Sequence, residues 1–214
     1  MQYSVKEIYY TLQGEGAHSG RPAVFLRFSG CNLWSGREED RTKAVCQFCD
    51  TDFVGTNGTG GGTFTSPEDL AESVAQTWHS NATHNGSVPF VVCTGGEPLL
   101  QLDENLIAAL HQHRFEIAVE TNGTIEAPAG IDWLCCSPKF GAKLVQKTGQ
   151  ELKLVFPQEG GIPDDFAELD FEHYYLQPMD GPNRQENTDK AIEYCRRHPH
   201  WHLSLQSHKL LGIR

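Results

Sequence analysis

The feature of this sequence that most limits its fold is a series of short apolar segments, each of which ends in a polar or glycine-rich motif. Residues 23–28, 88–93, 116–120, 133–136, 151–156 and 173–176 have the length and residue types of buried strands. Helices are predicted between several of them, at 66–79, 99–114 and 188–198, and residues 201–205 resemble a last strand. Strands that alternate with helices in this way form parallel sheets.

The spacing of the segments also indicates that the set of helices is reduced. Only about a dozen residues separate the strand at 116–120 from the strand at 133–136, which is near the minimum for a crossover that contains a helix. The glycine-rich residues 55–62 are typical of a flexible surface loop. We therefore predict an α/β fold in a single domain over residues 1–214, an incomplete (β/α) barrel of six or so parallel strands that is open on one side.

The polar motifs define a predicted site. In a parallel barrel the carboxyl ends of all strands face the same mouth, so the motifs that follow the strands converge even though they are distant in sequence. These motifs begin at Cys31, Thr94, Glu120, Ser137 and Gln177. The convergence of these motifs is stronger evidence for a functional site than any one motif alone.

Three cysteines within this set have metal-ligand spacing. Cys31, Cys46 and Cys49 form a Cys-x14-Cys-x2-Cys pattern with no fourth cysteine nearby. Three thiolates can hold three irons of a [4Fe–4S] cluster and leave the fourth iron open to another ligand. The alternative is a structural zinc site, for which His18 or a distant histidine would supply the fourth ligand.

The net charge and the cysteine content indicate which binding partners and which cellular compartment to expect for this protein. The chain has a formal net charge of −11 at pH 7, so no basic surface is expected that would bind nucleic acid or an anionic membrane. It has neither a signal-peptide pattern nor an apolar segment long enough to span a membrane. Its seven cysteines do not resemble a disulfide framework, and we expect a reducing, cytoplasmic location and a small-molecule substrate.

Together these motifs resemble the radical S-adenosylmethionine (SAM) enzymes. The resemblance lies in the three-cysteine loop after a strand, the aromatic Phe48 before the last cysteine, and the Gly-Gly-Glu-Pro motif at 95–98. It implies a [4Fe–4S] cluster on Cys31, Cys46 and Cys49, with SAM chelated to the open iron and reduced to a 5′-deoxyadenosyl radical. The implied SAM-binding residues are Phe48, Cys49, Asp50, Gly96, Ser137, Pro138, Lys139, Gln177, Pro178, Met179 and Asp180.

A narrower resemblance is to the 7-carboxy-7-deazaguanine synthase family, and it covers essentially the whole chain. It is carried by residues 8–16 (IYYTLQGEG), 20–27 (GRPAVFLR) and 49–51 (CDT), together with the 137–139 segment and His208-Lys209. The resemblance implies conversion of 6-carboxy-5,6,7,8-tetrahydropterin to 7-carboxy-7-deazaguanine, with hydrogen abstraction at C6, loss of ammonia and regeneration of SAM.

The same resemblance implies further site residues and partners. Thr51 matches the family's Mg²⁺ ligand, and a cation that keeps most of its waters needs few protein ligands. A flavodoxin-like electron donor and a homodimer are also implied. The implied substrate-binding residues are Leu12, Gln13, Gly14, Glu15, Arg27, Thr94, His208 and Arg214.

Several alternatives stay open at this stage. The family's usual loop is Cys-x3-Cys-x2-Cys, so this chain carries eleven additional residues between Cys31 and Cys46, which we expect to form an excursion that leaves the thiolates in place. A glycyl-radical-enzyme activating protein would share the cluster loop and the Gly-Gly-Glu-Pro motif. Arg27 is an unusual residue for a buried strand unless it is paired, so it either binds the substrate carboxylate or forms a structural ion pair. We expect Glu97 to fix its own turn and the four remaining cysteines to be core residues.

Overall fold

The computed structural model describes residues 2–83 and 86–214. Its strands are β1 (Tyr3–Leu12), β2 (Pro22–Phe28), β3 (Gly62–Phe64), β4 (Phe90–Gly95), β5 (Glu116–Thr121), β6 (Trp133–Cys136), β7 (Thr148–Phe156), β8 (Asp170–Pro178) and β9 (Trp201–Leu203). Its α-helices are α1 (Pro67–Asn81), α2 (Glu104–Gln112), α3 (Arg184–Arg197) and α4 (Ser207–Leu211). Short 3-10 helices lie at Glu38–Lys43, Pro98–Leu100 and Pro163–Phe166.

All nine strands belong to one sheet, in the order β3-β1-β2-β4-β5-β6-β7-β8-β9. The seven strands from β2 to β9 in this order are parallel, whereas β1 pairs with both β2 and β3 in the antiparallel direction. Because β3 and β9 stand at opposite edges, the sheet is an open barrel. The predicted incomplete parallel α/β barrel is confirmed, and its seven parallel strands lie at the six predicted apolar segments and at the last strand predicted over 201–205.

The antiparallel strands β1 and β3 are absent from our predictions. The segment 55–62, predicted as a flexible loop, is tied to β1: the Gly58 N–H donates to the Lys6 carbonyl at 2.9 Å, and the Ile8 N–H donates to the Thr59 carbonyl at 2.8 Å. Gly62 already belongs to β3. Residues 55–61 form a loop, as predicted, but the bonds to β1 and the place of Gly62 in β3 were not predicted, because a glycine-rich composition does not reveal backbone bonds to a distant strand.

The helices confirm the predicted positions with corrected ends. Helix α1 begins after Ser66, whose hydroxyl accepts from the Asp69 N–H at 3.0 Å, as expected for an N-cap followed by proline. Helix α2 was predicted to begin at Leu99 but begins at Glu104, because Asp103 caps it through the Leu106 N–H. No helix forms between β5 and β6, as the short spacing indicated. Helix α3 begins at Arg184, four residues before its predicted start.

Alternate residues of each strand face opposite sides of the sheet, and this alternation produces two distinct environments. The outer face packs against α1 and α2. Leu26 and Val91 of the sheet and Leu106 of α2 belong to the core between them. A second outer core lies between strands β6 to β9 and α3. The inner face carries a small apolar layer that includes Phe25, Val92 and Ala118.

On β2, β4 and β5, the residue two positions after the apolar inner-face residue lies at the carboxyl end of the strand and is polar. These polar residues point to the same side as the apolar layer, because side chains at positions i and i+2 share a face. Arg27 follows Phe25, Thr94 follows Val92, and Glu120 follows Ala118 in this way. The barrel therefore has an apolar floor below a polar mouth. None of the described helices is long and apolar enough to cross a membrane.

Candidate functional site

The polar mouth of the barrel contains two adjoining cavities. The first cavity is lined by all three motif cysteines and by the ends of β4 to β8. The second cavity is lined by β1, the start of the following loop, Arg27 and the C-terminal residues. Six residues line both cavities and form a shared wall: Glu15, Asp50, Thr51, Thr94, Glu120 and Gln206.

The three predicted cluster ligands meet at the first cavity, and all three are free thiols. The Leu33 N–H donates to the Cys31 sulfur at 3.4 Å, and the Thr51 N–H donates to the Cys49 sulfur. A hydrogen bond from the Cys46 thiol lowers the pKa of Cys49 to about 6, whereas the pKa of Cys46 is raised. Three thiols around one cavity, two of them with backbone donors, have the chemistry that thiolate ligation of a cluster requires.

The eleven additional residues before Cys46 are anchored to the cluster segment by Arg41. The Arg41 guanidinium donates to the Gln47 carbonyl at 2.8 Å and to the Cys49 carbonyl at 3.1 Å. It also lies 4.1 Å from the centre of the Trp34 ring, and it pairs with Glu38 at 2.7 Å. The insertion is therefore folded back onto the turn that carries Cys49, which was not predicted.

The Gly-Gly-Glu-Pro motif packs directly against the backbone that precedes Cys31. A Cβ on Gly96 would lie 2.1 Å from the Gly30 carbonyl oxygen, and one on Gly95, whose φ is +148°, would lie 2.3 Å from the Phe28 carbonyl oxygen. Both glycines are thus required by the protein's own packing, a reason that sequence inspection did not supply.

Glu97 fixes this turn, as we expected. Its carboxylate accepts from the Leu99 N–H at 3.0 Å, the Thr121 hydroxyl at 2.8 Å and the Asn122 N–H at 2.7 Å. The side chain is fully buried, and burial raises its pKa against the effect of these donors. It joins the ends of β4 and β5 and does not line either of the two cavities.

The predicted SAM-binding residues lie around the first cavity with one exception. Phe48, Cys49, Asp50, Gly96, Ser137, Lys139, Gln177, Pro178, Met179 and Asp180 all line it. Pro138 instead lines a neighbouring hollow beside Lys139. The Lys139 ammonium donates to the Ser137 hydroxyl at 2.8 Å, and the Gln177 amide oxygen accepts from the Ser204 hydroxyl at 3.1 Å.

All eight predicted substrate-binding residues line the second cavity: Leu12, Gln13, Gly14, Glu15, Arg27, Thr94, His208 and Arg214. Arg27 is not free there. Its Nε donates to Glu7 at 2.9 Å and one of its terminal nitrogens donates to the Tyr9 hydroxyl at 2.9 Å. The structural ion pair that we considered as an alternative is therefore present, and it leaves the guanidinium beside the cavity.

A buried cation lies between two carboxylates of the shared wall. The Lys153 ammonium lies 2.8 Å from Glu15 and 2.8 Å from Glu120, and only 3% of its side chain is exposed. Burial alone would raise the pKa of Glu15, but Lys153 and neighbouring side-chain donors lower it to about 2. These charges are inside the barrel and balance each other in part.

The C-terminal helix α4 closes one side of the second cavity, and Gln206, just before it, lines both cavities. The Ser207 N–H and hydroxyl each donate to the Gly14 carbonyl at 2.9 Å, and a Cβ on Gly14 would collide with His208. The Lys209 ammonium contacts Asp180 at 2.6 Å and also contacts Asp50, two residues predicted to bind SAM. The final residue, Arg214, pairs with Glu7.

Sequence reasoning missed several site residues or their roles. Glu120 was predicted to lie at the mouth but was given no role, and Lys153 was not predicted. Both carry the same signal that identified Arg27, because each is a charged residue within an apolar strand. Gln206 and Lys209 gave no comparable signal, since their partners are about 160 to 190 residues away. In the described part of the chain no group of three or more His, Cys, Asp or Glu side chains is close enough together to form a ready metal site. The three cysteines line one cavity without forming such a group, and Thr51 has no ligand cluster around it.

Comparisons with known proteins agree with this architecture. The chain is 64% identical to the 7-carboxy-7-deazaguanine synthase of Caulobacter vibrioides over 213 residues and 58% identical to that of Burkholderia multivorans over 213 residues, with both chains fully covered in each case. The crystal structure of QueE from Escherichia coli superposes with a TM-score of 0.73 at 26% identity, over 97% of this chain and 95% of that chain. No protein-family model matches.

Proposed function

Because this chain belongs to the 7-carboxy-7-deazaguanine synthase family, we propose that it converts 6-carboxy-5,6,7,8-tetrahydropterin into 7-carboxy-7-deazaguanine with loss of ammonia. It is a radical SAM lyase of queuosine biosynthesis, and its mixed α/β barrel is the fold of QueE. The observation that carries the proposal is the pair of adjoining cavities, one lined by three cysteines and the other by the Gln13-to-Glu15 turn, Arg27 and the C-terminal residues.

The residues of the first cavity fit a [4Fe–4S] cluster and SAM. Cys31, Cys46 and Cys49 would hold the cluster, and the Leu33 and Thr51 N–H groups would donate to its thiolate ligands. Bound there, the cluster and SAM would supply one-electron cleavage of the sulfonium and a carbon-centred radical that abstracts hydrogen. Gln177 to Asp180 would surround the adenine, and Phe48 to Asp50 with Ser137 to Lys139 would surround the rest of the nucleoside.

The second cavity would bind the pterin. Gln13 and Glu15 offer an amide and a carboxylate to its ring donors and acceptors, while Arg27 offers a guanidinium to its carboxylate. His208 and Arg214 approach from the C-terminal side, where α4 would exclude water from the bound substrate. Because Glu15, Thr94 and Glu120 line both cavities, substrate bound in one would lie against the contents of the other.

Magnesium and the partners complete the proposal. Thr51 lines both cavities, and its hydroxyl would be the protein ligand of a Mg²⁺ ion otherwise bound by substrate oxygens and water. We further propose a homodimer in the cytoplasm and a flavodoxin-like donor that reduces the cluster. The high identity to full-length 7-carboxy-7-deazaguanine synthases supports the lyase. None of the relatives compared above is a glycyl-radical-enzyme activating protein.

The decisive experiment is anaerobic turnover with substrate deuterated at C6, in the presence of reductant, SAM and Mg²⁺. We expect 7-carboxy-7-deazaguanine in excess over SAM consumed, with deuterium in the recovered SAM. The absence of product would overturn the proposed reaction. Methionine and 5′-deoxyadenosine formed one for one with product would instead overturn the regeneration of SAM.

Cysteine variants provide the matched control. Cys31→Ala should abolish SAM cleavage and lower the iron content of reconstituted protein, because it removes one of three cluster ligands. Cys195→Ala in helix α3, remote from both cavities, should keep the iron content and the activity of the wild type. Full iron content and activity in Cys31→Ala would contradict the assignment of the cluster ligands.

A further inference from the structure

Lys153 lines the first cavity but not the second, whereas the two carboxylates that it contacts line both. We propose that Lys153 is a positioning residue for substrate binding: its ammonium holds Glu15 and Glu120 side by side as a pair of acceptors that face the second cavity. The inference rests on the proposed function, because it places a substrate with ring N–H donors in that cavity. Lys153 would act only through the two carboxylates.

The contacts of the two carboxylates are arranged symmetrically. Each has one oxygen 2.8 Å from the Lys153 ammonium. The other Glu15 oxygen accepts from the Gln206 amide at 3.1 Å, and the other Glu120 oxygen accepts from the Gln13 amide at 3.2 Å. Their orientation is therefore fixed from both sides, and the exposed fractions of the two side chains, 19% and 20%, face the cavities.

The remaining ionisable groups around Lys153 have their own partners. Glu151 accepts from the Ala17 N–H at 3.1 Å, the Trp133 indole at 3.3 Å and the Cys135 thiol at 3.5 Å. Burial raises the pKa of Glu151, and it raises the pKa of the Cys135 thiol as well. Lys153 is thus the cation that Glu15 and Glu120 share within this part of the barrel.

The geometry shows what the loss of Lys153 would do. The two carboxylate oxygens lie within about 5.6 Å of each other, because each is 2.8 Å from the same nitrogen. Two like charges this close, half-buried and without a cation, raise the pKa of one member of the pair, which then takes up a proton. A protonated carboxyl is a donor, so the site would lose one of its two acceptors.

The test compares Lys153→Met with Lys153→Arg, which keeps the charge, and with Lys190→Met. Lys190 is a half-exposed lysine on α3 that pairs with Glu186 at 2.6 Å and is a matched control. The apparent substrate constant is measured between about pH 6 and about pH 9. Carbon-13 NMR of glutamate-labelled, cluster-free protein follows the carboxyl groups directly and does not depend on turnover.

In Lys153→Met we expect the substrate constant to rise on the order of tenfold to a hundredfold and to rise further as the pH falls through the new carboxyl pKa. The NMR titration should show one more glutamate with a pKa above the usual range than the wild type shows, where Glu97 and Glu151 already have raised pKa values. Lys153→Arg and Lys190→Met should keep the wild-type dependence of the substrate constant on pH. A substrate constant in Lys153→Met equal to that of the wild type at every pH would overturn the proposal.

A double variant covers the case in which Lys153→Met does not fold. Glu120→Gln/Lys153→Met removes one charge of each sign, and its NMR titration is compared with that of Glu120→Gln. Loss of Lys153 in this background should raise the pKa of Glu15, and an unchanged Glu15 titration would contradict the positioning role. Failure of the wild type to turn over would refute the proposed reaction while leaving these carboxyl titrations interpretable.

Discussion

At the scale of single residues, Arg27 shares its guanidinium between Glu7 and Tyr9 while lining the second cavity. Only 16% of its side chain is exposed, so a contact with the substrate carboxylate would be largely shielded from water. Arg27→Ala should raise the apparent substrate constant on the order of a hundredfold, because neutral groups cannot replace a charge-assisted contact in a shielded site. Steady-state kinetics at saturating SAM and Mg²⁺ measure this change.

Arg21 is the matched control for this prediction. It also forms a short ion pair, with Glu116, and it lies over the Phe90 ring, but it lines neither of the two cavities. Arg21→Ala should lower the melting temperature and leave the substrate constant near that of the wild type. If both arginine variants raised the substrate constant equally, Arg27 would have only a structural role.

Glu15 should make the protein sensitive to acid. Its pKa lies at about 2 in the fold against 4.5 in the unfolded chain, so its contribution to stability is complete above pH 4.5 and is lost as the pH falls towards 2. The wild type should lose about 2 to 3 kcal/mol more than Glu15→Gln over this interval. Urea unfolding of cluster-free protein at several pH values measures the difference.

The exposed Glu172 provides the control for acid sensitivity. Glu172→Gln should follow the wild-type dependence of unfolding free energy on pH, because its carboxyl has no buried cation to lose. An identical acid dependence in Glu15→Gln and the wild type would show that the ion pair with Lys153 adds no net stability.

These residues also show how far sequence reasoning reaches at this scale. A charge within an apolar strand is costly unless it is paired or functional, and this rule identified Arg27. The same rule applied to Glu120 and Lys153 would have added both. It could not have paired them, because Glu120 and Lys153 come from strands separated by β6, and their meeting depends on the curvature of the sheet.

At the scale of elements, Arg41 bonds the insertion between Cys31 and Cys46 to the turn that carries Cys49. Arg41 donates to the carbonyls of Gln47 and Cys49 and packs on Trp34, with 27% of its side chain exposed. Arg41→Met should therefore loosen the turn that carries Cys49 and lower the iron retained after reconstitution by about half or more, since ligand orientation depends on such supporting bonds. Iron analysis and absorbance near 400 nm, before and after desalting, measure the loss.

Lys43 lies in the same insertion and is exposed, so Lys43→Met is the matched control. It should retain as much iron as the wild type. Equal retention in Arg41→Met would show that the insertion is an excursion without influence on the cluster, as the logarithmic cost of loop closure alone would allow.

A strand or helix could be predicted where a short stretch of its own sequence marks it. The parallel strands were found because each is a continuous apolar segment, and α1 was found from its cap and proline. Strand β1 was missed because it contains Lys6 and Glu7 at a bulge in its pairing with β2, which interrupts the expected alternation. The start of α2 was misplaced because the turn after Glu97 consumes the residues before Asp103.

At the scale of the whole molecule, the two cavities form one site because the strands end at a common mouth. That convergence was predicted from topology alone, and the structure places twenty of the twenty-one predicted binding and cluster residues other than Thr51 on one or both cavities, Pro138 being the exception. The division into two cavities with a shared wall was not predictable, because it depends on where α4 returns after β9. Ser207 at the start of α4 is bonded to Gly14, which lies near the other end of the chain.

The shared wall leads to a prediction about the intact protein. Substrate and SAM would each contact Glu15, Asp50, Thr51, Thr94, Glu120 or Gln206, so one ligand should order side chains that the other needs. Reconstituted protein should bind SAM more tightly when a non-reactive oxidised pterin carboxylate is present, by a factor on the order of five to a hundred. Equilibrium binding under anaerobic conditions measures SAM affinity with and without the analogue.

Thermodynamic linkage supplies the internal check on this coupling. SAM must strengthen binding of the analogue by the same factor by which the analogue strengthens binding of SAM.

Helix α4 should contribute to the coupling. Its Lys209 contacts Asp50 and Asp180 on the SAM side, while its His208 lies beside Gly14 on the substrate side. Lys209→Met should therefore reduce the coupling factor in both directions, whereas Lys143→Met on an exposed loop should not. Affinities for the two ligands that do not depend on each other in the wild type would mean that the shared wall is already rigid and transmits nothing between the cavities.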